Sequence, residues 1–323
     1  MTNSLRQFSM DDLPALVAVI NRAAEADRED SFTTLDALRN RFERPYFYPE
    51  HNCLVAVTDG GEIVGYVTTE LDPRFGKGWG TGCVDPAWRG QGIGRALIEA
   101  ADVRHLEQVE HDLFYPETGL YVTRVCRDTN TPTRALLEAD GYAIWRISWV
   151  MHIDLAVALP ESPLPDGFAL RPFEPERDAR LVWELEGEIF HDAPGYAQPP
   201  FEVWETFMFP AGHDDALWLL AVDQRAAGEP VAGLCLCRPK HDAPATGWVE
   251  LFGVRQPHRG QGLGLALLRQ GLRAMQAHGF STAELDVDSE NKTNAVALYE
   301  RGGMTVSRCY LVYRKIFREP APV

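Results

Sequence analysis

Two copies of one glycine-rich segment set the strongest limit on what this chain can fold into. Residues 84–97 read VDPAWRGQGIGRAL and residues 254–267 read VRQPHRGQGLGLAL. Arg89 and Arg259 lie 170 positions apart, as do Gly92 and Gly262, and Gly94 and Gly264. In each copy an apolar, strand-like run enters the turn and an amphipathic helical run leaves it. Glycine lets the backbone turn sharply there, so that free N–H groups collect at a helix start, where the helix dipole favours phosphate oxygens. Two strand–turn–helix phosphate sites are therefore expected.

The rest of each half repeats as well. Residues 5–8 (LRQF) read as a strand, and residues 170–173 (LRPF) echo them. Ser9, Asp11 and Asp12 supply capping chemistry for a helix with Leu13, Leu16, Val17 and Ile20 at helical spacing. Residues 178–189 echo that helix. Second helices start at Thr33/Thr34 and at Phe201. The aromatic, proline-bearing residues 44–52 read as a loop. Residues 53–57 and 63–69 form a hairpin across Asp59-Gly60-Gly61, matched by residues 218–223 and 231–238. Strands over 79–84 and 248–254 enter the two turns, and helices over 94–109 and 264–278 leave them. Strands 119–125 and 282–287, helices 131–139 and 294–301, and closing strands 143–153 and 305–315 finish the halves.

Residues 159–167 hold Pro160, Pro163 and Pro165 and read as a stiff linker. A repeat of this length is too long for a solenoid unit and means domain duplication. The expected organisation is an α/β fold class with mixed sheets, in two domains at 1–158 and 168–323 joined by 159–167.

Composition narrows the function classes. The 323 residues carry a formal charge of −16. The acidity is shared, with 24 acidic and 15 basic residues up to residue 160 and 23 and 16 beyond it. Such a surface disfavours nucleic acid and anionic membrane as partners. It suits a cationic amine, and it serves plain solubility equally well. The six cysteines form no CxxC pair, and Cys235 and Cys237, two apart in a strand, face one side without suitable disulfide geometry. No secretory leader opens the chain, and no apolar run reaches the roughly 18 residues of a membrane span. A reduced, cytoplasmic monomer or homodimer is expected. His191-Asp192, His213-Asp214 and His241-Asp242 lack helical His spacing or a nearby His/Cys partner and read as loop polarity, so no metal is expected.

Strand, two helices, three strands, glycine turn, helix, strand, helix, strand is an order that resembles the GCN5-related N-acetyltransferases. Their signature, Arg/Gln-x-x-Gly-x-Gly/Ala, is matched at Arg89-Gly90-Gln91-Gly92-Ile93-Gly94 and at Arg259-Gly260-Gln261-Gly262-Leu263-Gly264. A dinucleotide fingerprint would instead open its domain, and a P-loop would continue into Gly-Lys-Ser/Thr. The resemblance implies two tandem acyltransferase domains with acetyl-coenzyme A as donor. It also implies that the pyrophosphate rests on the amides of Gln261 through Leu265 and of Gln91 through Arg95. The strand with Phe252 and Val254 would pair with the pantetheine arm, as would Val84. A Cβ at Gly262 or Gly264 would hold the diphosphate off the backbone.

The two halves are not equal in what they offer chemistry. Residues 291–304 read NKTNAVALYERGGM and resemble the family's segment that ends in Tyr-x-x-x-Gly-Phe. By that match Tyr299 is the general acid on the coenzyme sulfur, and Asn291 contacts the pantetheine. An aromatic packed on its helix face would explain Tyr299 as well. Glu250, inside the apolar strand 248–252, is a candidate general base with its pKa raised by desolvation; a glutamate on a solvated strand face is the other reading. Four residues before Gly141, the first half has Leu137 where Tyr299 stands, and Gly80-Thr81-Gly82 replaces the strand carboxylate. The second half is thus the expected catalyst for transfer to a primary amine of a small molecule. The first is a weaker enzyme or a module that only binds the donor. Tyr196, Phe201 and Trp204 line the acceptor pocket or pack in the core.

Overall fold

The computed structural model describes residues 4–29, 32–44, 47–72, 76–111, 119–191, 193, 196–209, 214–240, 243–290 and 294–319. It divides into two compact units, Met1–Ile147 with Tyr310–Val323, and Ser148–Cys309.

Unit 1 contains β1 (Ser4–Gln7), α1 (Leu13–Asp27), α2 (Leu35–Phe42), α3 (Pro49–Asn52), β2 (Cys53–Val57), β3 (Ile63–Thr68), β4 (Glu70–Asp72), β5 (Lys77–Trp79), β6 (Gly82–Val84), α4 (Ile93–His111), β7 (Leu120–Arg127), α5 (Thr131–Ala139) and the start of β8 (Ala143–Asp154). Ser9 and Asp12 form a reciprocal capping box ahead of α1, which satisfies amides that a helix start leaves open. Leu13, Leu16, Val19 and Ala23 give α1 one buried stripe. It ends at Arg28, which takes a left-handed conformation. The aromatic segment expected as a loop holds the short helix α3.

Strands β1, β2, β3 and β6 form one antiparallel sheet. The single strand expected over 79–84 is broken in two: β5 ends at Trp79 and β6 starts at Gly82. The break has a steric cause. A Cβ on Gly80 would sit 1.9 Å from the Thr68 carbonyl oxygen. The Thr81 N–H donates to Thr68 Oγ1 at 3.0 Å rather than to a ladder partner. This irregularity splits the strand, so that β6 stays on β3 while β5 pairs in parallel with β7.

Unit 2 repeats the plan with β9 (Phe168–Pro172), α6 (Pro175–Phe190), α7 (Phe201–Met208), β10 (Trp218–Asp223), β11 (Val231–Lys240), β12 (Ala243–Val254), α8 (Leu263–Ala277), β13 (Thr282–Asp288), α9 (Ala295–Arg301) and the start of β14 (Thr305–Arg318). Its sheet runs β8-β13-β12-β11-β10-β9, antiparallel except where β12 meets β13. Helix α8 buries Leu263, Leu267, Leu268, Leu272 and Met275, each worth about 1.5–3 kcal/mol over an exposed position. They meet Leu220, Leu234 and Cys235 from the sheet in one apolar cluster. None of the six cysteines is joined in a disulfide.

The closing strands do not stay with their own halves of the sequence. Strand β7 is paired by Tyr310–Arg318, with Tyr310 opposite Arg127 and Ile316 opposite Tyr121. Strand β13 is paired by residues 148–154, with Ser148 opposite Asp288 and Asp154 opposite Thr282. The burial of β8 accounts for its far end: Val150, Met151 and Ile153 are buried, whereas Ala143 and Ile144 are exposed. At about 3.3 Å per residue, the 12 residues of β8 and the 14 of β14 span enough length for one end to serve each unit.

Cutting the chain in the proline-rich segment would therefore strip each unit of a strand. Residues 1–158 expressed alone are expected to show no cooperative thermal transition by circular dichroism, as are residues 159–323, while the full chain melts cooperatively. A sharp melt of either fragment at the temperature of the full chain would contradict the exchange.

Candidate active sites

The two glycine turns have the same construction. Gly90 and Gly92 have φ of 76° and 83°, and Gly260 and Gly262 have 76° and 81°, values that L side chains adopt only with strain. α4 and α8 start directly afterwards, at Ile93 and Leu263. The arginines of the signature clamp the turn back to its entering strand, Arg89 Nε donating to Val84 O at 3.1 Å and Arg259 Nε to Val254 O at 2.9 Å. Gln261 is exposed and accepts from Arg225 Nη1 at 3.0 Å. The last glycine of each turn has a packing reason besides clearance for a diphosphate. A Cβ on Gly94 would stand 3.0 Å from Leu136, and one on Gly264 3.0 Å from Leu298. The first helical turn is thus pressed against the following short helix in both units. Gln91, Arg95 and Leu265 stand in the same turns, between or just after these glycines.

In unit 2 several reactive side chains surround the strand that enters the turn. Leu251 pairs with Leu236 and Val249 with Cys237, so Glu250 is the extra residue of a β-bulge. A bulge re-aims the side chain it carries. Glu250 accepts from Arg238 Nε at 2.6 Å, and its side chain is 27% exposed. Its surroundings are a guanidinium and solvent, not the apolar wall expected from the strand. Tyr299 is buried and sets its ring edge-on to Phe252 at 5.9 Å. Its hydroxyl makes no hydrogen bond among the described residues. Burial, then the neighbouring Cys235 and Asp286, hold the phenol well above its ordinary pKa, so it keeps its proton throughout the neutral range. Asn291 lies outside the described residues.

Two carboxylates belong with this group that sequence reasoning did not single out. Glu186, on α6, accepts from Trp204 Nε1 at 2.6 Å and from Tyr196 Oη at 3.3 Å. Its pKa is raised by burial, against those hydrogen bonds, with Glu250 adding to the rise. Asp286, on β13, is raised by burial and by Glu250; it opens to solvent at one side while protein surrounds the rest. A signal for Glu186 exists, since it sits four residues after the buried Val182, on the face that α6 turns inward. Asp286 alternates with the buried Leu285 and Val287 and has no such signal. Tyr196 and Trp204, expected as pocket-lining or core residues, hold Glu186 in place.

Unit 1 keeps the turn and differs around it. A cavity of about 800 Å3 runs along Val84, Arg89, Gly90, Gly92, Gly94 and Arg95, and reaches Gly80, Arg124 and Leu137. Leu137, 2% exposed, packs in the core. Beside it Arg124 Nε donates to Tyr142 Oη at 3.0 Å and Nη2 to Asp102 Oδ1 at 3.2 Å, while Tyr142 donates to the same Asp102 oxygen at 2.6 Å. Lys315 reaches Asp102 at 2.9 Å and Asp140 at 3.1 Å. Among the described residues no group of three or more His, Cys, Asp or Glu could hold a metal ion, and no helix is long and apolar enough to cross a membrane. Of the His-Asp pairs, Asp192, His213, His241 and Asp242 lie outside the described residues.

Two turns of this build, each between a sheet and a packed helix, define a duplicated acyltransferase fold, and comparison with known proteins agrees. The model of the Acetyltransferase (GNAT) family matches residues 170–304, and that of the Acetyltransferase (GNAT) domain matches residues 49–143. The chain belongs to the GCN5-related N-acetyltransferases and carries two such domains in tandem. It is an enzyme, an acetyltransferase of the GNAT type. The mycothiol acetyltransferase of Thermobispora bispora is 31% identical over 312 residues, covering 94% of this chain and 96% of that one. The mycothiol acetyltransferase of Salinispora tropica is 31% identical over 327 residues, covering 97% and 95%. Among solved structures, a GCN5-related N-acetyltransferase from Sphaerobacter thermophilus superposes with a TM-score of 0.84 at 28% identity, covering 99% of this chain and 98% of that one. A tandem GNAT protein from the clavulanic acid biosynthesis pathway shares the fold, with a TM-score of 0.74 at 18% identity and 98% of both chains covered.

The raised pKa of Glu186 sets a stability test. The folded state holds that proton more tightly than the unfolded chain, so stability falls as pH rises from about 4 through the raised value. Glu186→Gln keeps an acceptor for Trp204 and removes the penalty. It is expected to raise the melting temperature by roughly 2–4 °C at pH 7, with the gain vanishing near pH 4. A melting temperature lowered at pH 7, followed by circular dichroism from pH 4 to 8, would contradict this reading.

Proposed function

We propose that the chain transfers the acetyl group of acetyl-coenzyme A to a primary amine of a small molecule, by direct attack, in unit 2. The observation that carries this reading is the pairing of a buried tyrosine with a free hydroxyl, Tyr299, with a bulged carboxylate, Glu250, on the strand that enters the second turn. The amides from Gln261 to Leu265 fit the diphosphate by chemistry and by their place at the start of α8. Phe252 and Val254 lie on the strand whose backbone would pair with the pantetheine amides.

In the reaction as we draw it, the acceptor arrives as an ammonium and loses a proton through water to Glu250. The free amine attacks the thioester carbonyl, the C–S bond breaks as the departing sulfur takes the proton of Tyr299, and the acylated nitrogen gives its extra proton to the tyrosinate so formed. A thiol of ordinary pKa near 8.5 leaves poorly as a bare thiolate from a tetrahedral intermediate, so a phenol that keeps its proton is suited to the task. Glu186, Glu250 and Asp286 together supply the negative field a cationic acceptor needs. We place the reaction in the reduced cytoplasm, where thiols that no disulfide joins persist.

Two finer readings follow from particular observations. The relatives named mycothiol acetyltransferase cover nearly the whole chain. They favour a mycothiol-synthase-like enzyme, whose acceptor is a cysteinyl amine of a thiol sugar. The intact first turn and its cavity, beside Leu137 and Gly80, favour unit 1 as a module that binds acetyl-coenzyme A without turning it over.

Tyr299→Phe and Glu250→Gln are each expected to lower kcat by about 10²–10⁴-fold, with the KM for acetyl-coenzyme A changed by no more than a few-fold. Steady-state kinetics across an amine panel that includes a cysteinyl amine measures both. Wild-type turnover in both variants would overturn the assignment of roles, and turnover lost on blocking only the first turn would move the catalyst to unit 1.

A further inference from the structure

The two units differ in charge at matched positions around the place where the thioester would end. Gly80 and Glu250 both stand nine residues before the turn arginine. Arg124 and Asp286 both stand 13 residues before the Leu137/Tyr299 pair, and each is the fifth residue of its strand. Leu13, Leu16 and Val19 of α1 match Ala179, Val182 and Leu185 of α6 as the buried stripe, which sets Ile20 where Glu186 stands. Three carboxylates of unit 2 thus correspond to an isoleucine, a glycine and an arginine in unit 1.

That arginine is built into the cavity. Its side chain is 7% exposed, and it lines the same cavity as Ile20, Gly80 and Leu137. Two of its three nitrogens are held by Tyr142 and Asp102, which fixes the plane of the guanidinium. Nη1 makes no hydrogen bond among the described residues, and a Cβ on Gly80 would come 3.5 Å from it. The free donor therefore sits beside the position that carries the general-base carboxylate in the other unit. Asp102 pairs with Arg124 through Nη2 only and shares its oxygens with Tyr142 and Lys315, so Nη1 is left to a ligand. A buried guanidinium with an open N–H is expensive to leave unmatched and pairs best with a carboxylate.

We propose that the cavity of unit 1 binds a coenzyme A thioester whose acyl chain ends in a carboxylate, with that carboxylate on Arg124. This rests on the reading that the first turn holds the coenzyme. Beside Gly80 and Leu137, unit 1 offers the guanidinium of Arg124 where unit 2 offers carboxylates, so it accepts an acyl group opposite in charge to the ammonium that unit 2 attracts.

Calorimetric titration of the full chain with succinyl-coenzyme A and with butyryl-coenzyme A, nearly equal in length and different in charge, tests the proposal. Two binding events are expected, one of them at least about 10-fold tighter for the succinyl thioester. Arg124→Met is expected to abolish that preference and leave the other event unaltered, and Arg124→Lys to keep part of it. Equal affinities for the two thioesters at both sites, or a preference that survives Arg124→Met, would overturn the proposal. A stoichiometry of one with either thioester would instead overturn the reading of the first turn as a coenzyme site. Should Arg124→Met lose its cooperative melt, the wild-type comparison and Arg124→Lys still decide.

Discussion

Both units depend on a close approach of backbone to side chain at the start of the glycine helix. Gly264 lies so near Leu298 that a single added carbon would reach 3.0 Å, and Gly94 lies the same way against Leu136. The strand on the other side is as near: Gly65 and Gly233 face the backbone oxygens of Cys83 and Gly253 at 3.1 and 2.9 Å from a built Cβ. Helix, strand and short helix therefore converge on positions without side chains. With no side chains to cover them, the amides at the helix start stay open to a ligand, and two arginines hold the turn to its strand. The open helix start is a by-product of how tightly the elements pack.

The chemistry grows from a second backbone feature beside the first. The strand that enters each turn is irregular a few residues upstream. In unit 2 the irregularity presents Glu250, and in unit 1 it falls on Gly80, where no side chain fits against Thr68. Position 80 is barred from carrying a carboxylate by sterics alone. An equivalent base in unit 1 would need a different strand register as well as a different residue. Leu137 in place of a phenol is a difference of one side chain, while the lack of a carboxylate at position 80 is written into the backbone.

Sequence periodicity makes the helices, the hairpins and both turns legible, because their glycines and apolar stripes repeat at fixed offsets. Tyr299 is singled out by the resemblance of residues 291–304 to a family segment and not by periodicity. Three features are not legible. The bulge at Glu250 leaves the apolar run on either side looking continuous. Asp286 has an alternation no different from that of any half-exposed strand. The exchange of closing strands is invisible because alternation tells which face of a strand is buried and not which strand lies beside it; residues 143–153 and 305–315 read equally well with either partner.

The polar network of unit 1 shows why the duplicated cores diverged in concert. Asp102, Tyr142 and Arg124 are all buried, and by offset from the turn and from the last glycine they correspond to Leu272, Met304 and Asp286. An isolated arginine at 124 would strand a charge in the interior, and an isolated aspartate at 102 would do the same. Each is tolerable only with the other and with Tyr142 to complete its hydrogen bonds. The reverse holds in unit 2, where Leu272 and Met304 leave Asp286 no buried cation, so its carboxylate stands at the opening with Glu250 and carries a raised pKa. One exchange of sign on the fifth residue of a strand therefore demands a change of core on the helix behind it. The two units hold the same turn over cores of opposite character, and the charge each can present to a ligand follows from the core beneath.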